Sequence, residues 1–218
     1  MKTSASVAAI AALSFAVSAL GDVAHGRLAS MPLPKQDLGP GVAALVLSTD
    51  SGVDSNADAA RHAGPGVTAA QLASAGRITG YTRDYQRPPT VVPLAGRALL
   101  EIQTIAEQYR DRDSARRGLA FWRAVTQALT TRVENGISTR AVPFDARVAD
   151  GTFAFELTYI RAGRPVAYVG DVVFRTGSLL GAVFVTTTDR AGLHARTVAL
   201  ARKLATRMQL AQAGKIRR

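Results

Sequence analysis

The chain has 218 residues, no cysteine, and 27 Lys and Arg against 16 Asp and Glu, a formal net charge of +11. The lack of cysteine excludes disulfides, thiolate metal sites and thiol nucleophiles together. The positive balance points toward anionic neighbours such as acidic lipid headgroups or envelope polymers. Nucleic acid is set aside, because no basic recognition helix and no strand interleaving aromatic with basic residues occurs.

The N-terminus carries the first signal. Lys2 supplies a positive start, Ser4 to Leu20 form an apolar, alanine-rich run, and Ala24-x-Gly26 places small residues where a signal peptidase cuts. Residues 1–26 therefore read as a signal peptide, with Val17-Ser18-Ala19 as an alternative cut, and the expected location is extracytoplasmic. The competing reading is an uncleaved anchor. A spanning helix wants about 20 strongly apolar residues, and this run is shorter and rich in Ala and Ser. Lipid anchoring of the cut end is excluded, because that processing needs a cysteine. Removal leaves about 190 residues, enough for one domain with its own core.

Residues 27–41 carry Pro32, Pro34 and Pro40 and read as an irregular mature N-terminus. A single domain is expected over 42–212, followed by a short basic tail, 213–218. Val42 to Leu47 is an apolar run expected as a first strand. Thr49 to Gly66 is rich in Asp, Ser, Asn and Gly, with a short helical piece from Ala57 to His62 that Asp54 or Asn56 would cap. Thr68 caps a helix through Ala75 that Gly76 ends. Arg77 to Gln86 reads as a strand, and Arg87 to Pro93 as a stiff loop excluded from any central strand by its prolines.

Arg97 to Tyr109 alternates, with Ala98, Leu100, Ile102, Thr104 and Ala106 on one face and Glu101, Gln103 and Glu107 on the other. That is the pattern of a half-buried strand, although its helix-forming residues also admit a helix. Asp111 or Asp113 caps the next helix, whose apolar stripe runs Ala115, Leu119, Trp122, Val125 or Thr126, and Leu129; the spacing makes Trp122 a core residue. Phe153 to Ile160, Pro165 to Phe174 and Leu179 to Thr187 are β-rich runs joined by short turns, hence an antiparallel meander. Asp189 is the expected cap of a closing helix with Leu193, Leu200, Leu204 and Met208 on its apolar face. The fold class that results is α+β: a single antiparallel sheet with helices packed mainly on one face and the C-terminal helix closing the domain.

The stretch Val173-Phe174-Arg175-Thr176-Gly177-Ser178-Leu179-Leu180-Gly181-Ala182-Val183, with Ala199-Leu200-Ala201-Arg202-Lys203-Leu204, resembles the end of exported actinobacterial domains of the PsbP-like superfamily. There, a strand, an Arg-x-Gly turn and a second strand lead into a helix with an Ala-Arg pair. The resemblance covers about Arg77 to Met208 and is architectural. It implies an extracytoplasmic accessory role, usually without enzymatic activity, and brings no catalytic residue with it.

No motif names a reaction. There is no nucleophile elbow, no metal-binding His-Glu-x-x-His, no phosphate loop, and only His62 and His194 remain after signal cleavage. Surface or capping roles are expected for both histidines, and no catalytic residue, metal site or cofactor is assigned. Asp54-Ser55-Asn56-Ala57-Asp58 starts like a calcium loop but departs from it at Ala59 and Pro65. Two binding features remain. Tyr81, Arg83 and Tyr85 share one strand face, where aromatics stack and an arginine fork hydrogen-bonds. Glu156 and Asp171 interrupt apolar strands and are expected, with Glu101 and Gln103, on one partly open sheet face. The competing account makes that face solvated, with its carboxylates paired to arginines. Tyr81, Arg83, Glu156 and Asp171 are thus the candidate ligand-binding residues. The expected function is an exported, non-enzymatic binding or accessory domain at the cell envelope, taking a lipid, an anionic polymer, a protein partner or a second copy through the open face. The alternative is an exported hydrolase assembled from scattered residues.

Overall fold

The computed structural model describes residues 26–88, 98–131 and 133–216. The signal segment, most of the Pro-Pro loop and the last two residues of the basic tail lie outside the described residues. The elements in chain order are β1 (Val46–Leu47), β2 (Gly52–Asp54), α1 (Asn56–Ala63), α2 (Ala69–Ala75), β3 (Arg77–Gln86) and β4 (Leu99–Tyr109), then α3 (Arg112–Ala128), β5 (Val133–Glu134) and β6 (Ile137–Pro143). The meander β7 (Gly151–Arg161), β8 (Arg164–Thr176) and β9 (Leu179–Thr187) leads into α4 (Leu193–Gln212). The nine strands among the described residues form one sheet in the order β1-β3-β4-β9-β8-β7-β6-β5, with β2 also paired to β3. Every pairing is antiparallel. The α+β architecture closed by a C-terminal helix is thus the one the alternation and helix spacing foretell. Among the described residues no helix is long and apolar enough to cross a membrane.

Alternation decides which side of the sheet each strand residue serves. On one side Ile102, Ala106, Val172, Phe174, Val183 and Val185 meet the buried stripe of α4, Leu193, Leu200, Leu204 and Met208. The rest of that side is covered by the N-terminal segment, which reaches the core with Leu28, Met31, Leu33, Leu38 and Leu45. Its irregular backbone is tied down in two ways. The Leu33 amide donates to Thr104 Oγ1 at 3.1 Å. Basic residues on the outer side of α4 donate to its carbonyls: Arg196 to Pro40, Lys203 to Asp37 and Arg207 to Ser30. On the other side Phe153, Phe155, Leu157, Val169, Val173 and Ala182 meet Leu119, Trp122 and Leu129 of α3 and its C-terminal turn. That helix crosses only part of its face, and the uncovered remainder is concave.

Some local expectations need correction. The run from Val42 yields a strand only at Val46–Leu47, because the Leu45 amide turns back to the Val42 carbonyl. Neither Asp54 nor Asn56 caps α1; Ser55 does, in a capping box with Asp58. Asp189 does not cap α4, which begins after Gly192 (φ 74°) with no side-chain cap; Asp189 instead accepts from the Ala191 amide. Asp111 caps α3, its Oδ1 accepting from the Ser114 amide at 2.6 Å.

Close approach of α3 to the sheet requires one glycine. A Cβ on Gly118 would lie 2.3–2.5 Å from the ring and hydroxyl of Tyr109. Tyr109 is fully buried and its hydroxyl donates to Glu107 at 3.0 Å, so the ring has nowhere to go. Gly118→Ala is therefore expected to destabilise by about 1–3 kcal/mol through overpacking, seen as a lower urea midpoint at unchanged m-value. A neutral result would show that α3 is free to lift from the sheet.

Candidate functional site

The concave face forms a cleft of about 720 Å³ between the sheet, the inner side of α3 and the end of α1. That volume lies within the range of small-molecule sites. Its lining alternates out of every strand from β3 to β6, with Phe184, Ile105, Ala182 and Val173 giving an apolar floor. The polar lining is one-sided in charge. Six of the chain's sixteen carboxylates face the cleft (Asp50, Asp54, Asp84, Glu101, Glu107 and Asp171), and among the described residues no Lys or Arg does. In a protein of net charge +11 the cleft is an acidic interior inside a basic exterior.

One end is built around Arg77, whose side chain is fully buried. Its Nη2 donates to Asp54 Oδ2 and its Nε to Glu107 Oε1, both at 2.7 Å, and its Nη1 to Asn56 Oδ1 at 2.9 Å. Glu107 Oε2 accepts from the Tyr109 hydroxyl and from Trp122 Nε1, each at 3.0 Å. This network joins β2, α1, β3, β4 and α3. Burial opposes the Arg77 charge, but Glu107 and Asp54 outweigh it and hold the guanidinium above its ordinary value. Burial also pushes the Tyr109 phenol up, with Glu107 adding to it. Burial raises Asp54 despite Arg77 beside it. Asp54 Oδ1 is buried with no hydrogen-bond partner and lies 3.9 Å from His62 Nδ1 at the rim. Gly80 leaves room for the fork, since a Cβ there would sit 2.5 Å from Arg77 Nη2.

The far end holds Asp84, 2% exposed, which accepts from Gln86 and stands beside Glu101. Burial, then the Glu101 charge, pushes its carboxyl up to about 7. Glu101 itself accepts from Thr186 Oγ1 at 3.0 Å. Across the floor, Asp171 is 1% exposed and its Oδ2 accepts from Thr126 of α3 at 3.3 Å. Burial pushes it up to about 7 against that single lowering bond. Asp84 Oδ1 and Asp171 Oδ1, like Asp54 Oδ1, are buried without a partner. A buried acceptor left unmatched costs about 1–3 kcal/mol, more when charged. Three of them around one cleft set it apart from a solvated sheet face.

Of the residues singled out by sequence, Asp171 lines this cleft, and Glu101 and Gln103 share its face. Glu156 does not. Cross-strand partners point the same way, and the register pairs Phe155 with Asp171, so Glu156 projects from the opposite face. There its Oε2 accepts from Arg190 Nε and meets His194 Nε2, both at 2.8 Å, and the imidazole stacks on Phe144 at 4.0 Å. The expected joint face of Glu156 and Asp171 is thereby corrected. Tyr81, Arg83 and Tyr85 do share a face, but it is the one packed by the N-terminal segment: Tyr85 is core, Tyr81 packs on the core, and Arg83 reaches the Ala29 carbonyl at 3.4 Å. Trp122 is half-buried rather than core, with its ring on the cleft wall and its indole N–H committed to Glu107. Among the described residues no group of three His, Asp or Glu is arranged to hold a metal ion. Sequence suggests Asp54 only as a helix cap or calcium-loop residue and does not single out Asp84, although Thr82, Asp84 and Gln86 alternate with the tyrosines and point to a polar face.

No family model matches the chain, and no curated protein does. Among solved structures it is similar to the extracellular domain of PknH from Mycobacterium tuberculosis, with a TM-score of 0.53 and 11% sequence identity, over 84% of this chain and 96% of that one. At that identity the likeness is one of fold. The fold of this chain is therefore one that an actinobacterial extracellular domain also adopts.

Proposed function

We propose that this chain is an exported, non-enzymatic binding domain acting at the cell envelope, and that its ligand lies in the cleft between the sheet and α3. A place among the exported domains it resembles in sequence, the PsbP-like group, belongs to the same proposal. The observation that carries it is the convergence of three buried carboxylates, Asp54, Asp84 and Asp171, each with one unmatched oxygen, on a single cavity of ligand size. Such groups destabilise the free protein. Perturbed carboxyls gathered in a cleft are a mark of functional sites. The concave, acid-lined shape suits a small ligand better than a flat partner surface. The basic exterior suits an anionic envelope as the place of action.

The triad form of the hydrolase alternative needs a histidine between a nucleophile and a carboxylate. Among the described residues no serine hydroxyl is hydrogen-bonded to either histidine, and His194 sits on the face away from the cleft.

Native mass spectrometry of protein purified from its own source tests the reading. The expected result is a bound mass that survives desalting and is lost in Gln103→Trp, which fills the middle of the floor. Protein that carries no adduct, or an adduct indifferent to that substitution, would place the ligand elsewhere or nowhere.

A further inference from the structure

We infer that the cleft takes an organic polyamine: an extended aliphatic chain with several protonated nitrogens, its cationic ends on the carboxylates and its methylenes on the apolar floor. The inference rests on the binding reading above and specifies its ligand. Glu101 and Glu107 lie six residues apart on β4, about 20 Å at the usual rise of a strand. Asp84 stands beside Glu101, and Asp54 is joined to Glu107 through Arg77, so each end of the cleft carries two carboxylates, the second pair sharing the one Arg77 cation. Asp171 lies level with Gln103 two strands away, about 10 Å across the sheet at the ordinary strand spacing. Between them Phe184 and Ala182 offer no polar group.

The chemistry of the lining selects the charge. With six carboxylates and, among the described residues, no Lys or Arg facing the cleft, and with Arg77 already engaged by Asp54 and Glu107, an anionic ligand would meet a net negative lining there. A neutral one would leave Asp84 Oδ1 and Asp171 Oδ1 facing it without charge compensation. Ammonium groups donate up to three hydrogen bonds each and accept none, the complement of acceptor-only carboxylates. Ligand selection is also sharpened by the exterior. A surface of net charge +11 repels polycations, so any saturable binding at physiological salt is local to the acidic cleft.

Trp122 is the sole tryptophan and sits on the cleft wall, so its emission reports occupancy. Spermine is titrated into the intact chain at pH 8 and 150 mM salt, with emission and heat recorded in parallel. 1,12-Dodecanediol and adipate serve as neutral and anionic counterparts. The expected result is saturable binding of spermine alone, weakened at least ten-fold in Asp171→Asn and again in Glu101→Gln, with the far-UV spectrum of each variant unchanged. Spermine binding that ignores both substitutions overturns the inference. Preferential binding of the diol or adipate, lost in Gln103→Trp, overturns the polyamine while leaving the cleft as the site. Silence with all three probes overturns the polyamine, and in protein that also carries no native adduct it overturns the cleft as a ligand site as well.

Discussion

Arg77→Ala is expected to lower the stability of the fold by about 3–5 kcal/mol, the usual consequence of removing one partner from a buried ion pair. The size follows from what is left behind. Asp54 and Glu107 keep their burial but lose the cation between them, and Asn56 loses the donor that ties α1 to β3. For a domain of this size that corresponds to a melting temperature lower by roughly 10 °C. Arg77→Lys should recover only part of it, because a point charge cannot serve two carboxylates and an amide from one fork. The loss should narrow on acidification, as the stranded carboxyls take up protons. A variant that melts within about 2 °C of the parent would show that water reaches the network and that the cleft's closed end is less sealed than its geometry indicates.

Asp171→Asn is expected to act in the opposite direction. Its carboxyl stands at about 7 in the folded protein against 3.8 as the ordinary value. The folded state therefore holds this proton more tightly than the unfolded one. Stability from this residue is complete below pH 4, falls as the pH rises from about 4 to 7, and stays low above 7. A shift of about three units has a ceiling near 4 kcal/mol. The amide nitrogen of the variant would also lack a partner in the cleft, so a gain of about 2 kcal/mol at pH 8 is expected. At pH 4, where the aspartic acid is protonated in the folded protein, the unmatched amide is left alone and the variant should be the less stable by about 2 kcal/mol. Urea unfolding at the two pH values measures this directly, and a variant destabilised at pH 8 would mean that the ionised carboxylate has a compensating cation. Asp84, raised to about 7 by burial and by Glu101, adds to the same pH dependence.

These two substitutions separate the roles of the cleft's acidic groups. The Arg77 end is tied by hydrogen bonds that hold α1, β3, β4 and α3 in place, with Asp54 Oδ1 left unmatched there. Asp171 and Asp84 are imperfectly satisfied and lower the stability of the free protein at neutral pH. Groups of the second kind are where a ligand gains most, since a cation placed there supplies the charge and donors that the protein withholds.

Much of the fold was legible from periodicity because each face of the sheet is buried or semi-buried. The limits of β3 and the helix from Ala69 to Ala75 follow from the sequence, as do the β7–β8–β9 meander and the apolar stripe of α4. What escaped has physical reasons. The β5–β6 hairpin is short, but its Asn135-Gly136 turn, with φ of 51° and 74°, is the dipeptide that favours a two-residue hairpin loop. The N-terminal segment looked like a preface because prolines forbid regular structure there, yet burial needs only apolar side chains, and Leu28, Met31, Leu33 and Leu38 provide them. Within the cleft, the alternation of Glu101, Gln103 and Glu107 gave one wall correctly. Glu156 and Asp171 each interrupt an apolar run, which suggests one face for both. Which face each occupies depends on strand register, and a one-residue offset reverses it. The Arg77 network joins residues 54, 77 and 107, whose proximity only the strand pairing creates.

The most direct measurement is the ionisation of the aspartate carboxyls in the ligand-free protein, followed by the side-chain carboxyl carbon resonances of aspartate-labelled material from pH 4 to 9. The expected result is two carboxyls titrating near 7, one lost in Asp171→Asn and the other in Asp84→Asn, with both midpoints falling when spermine is added. Midpoints near 4 for these residues would show that they are hydrated and matched like surface carboxylates, and would contradict the cleft as a site poised for a cation.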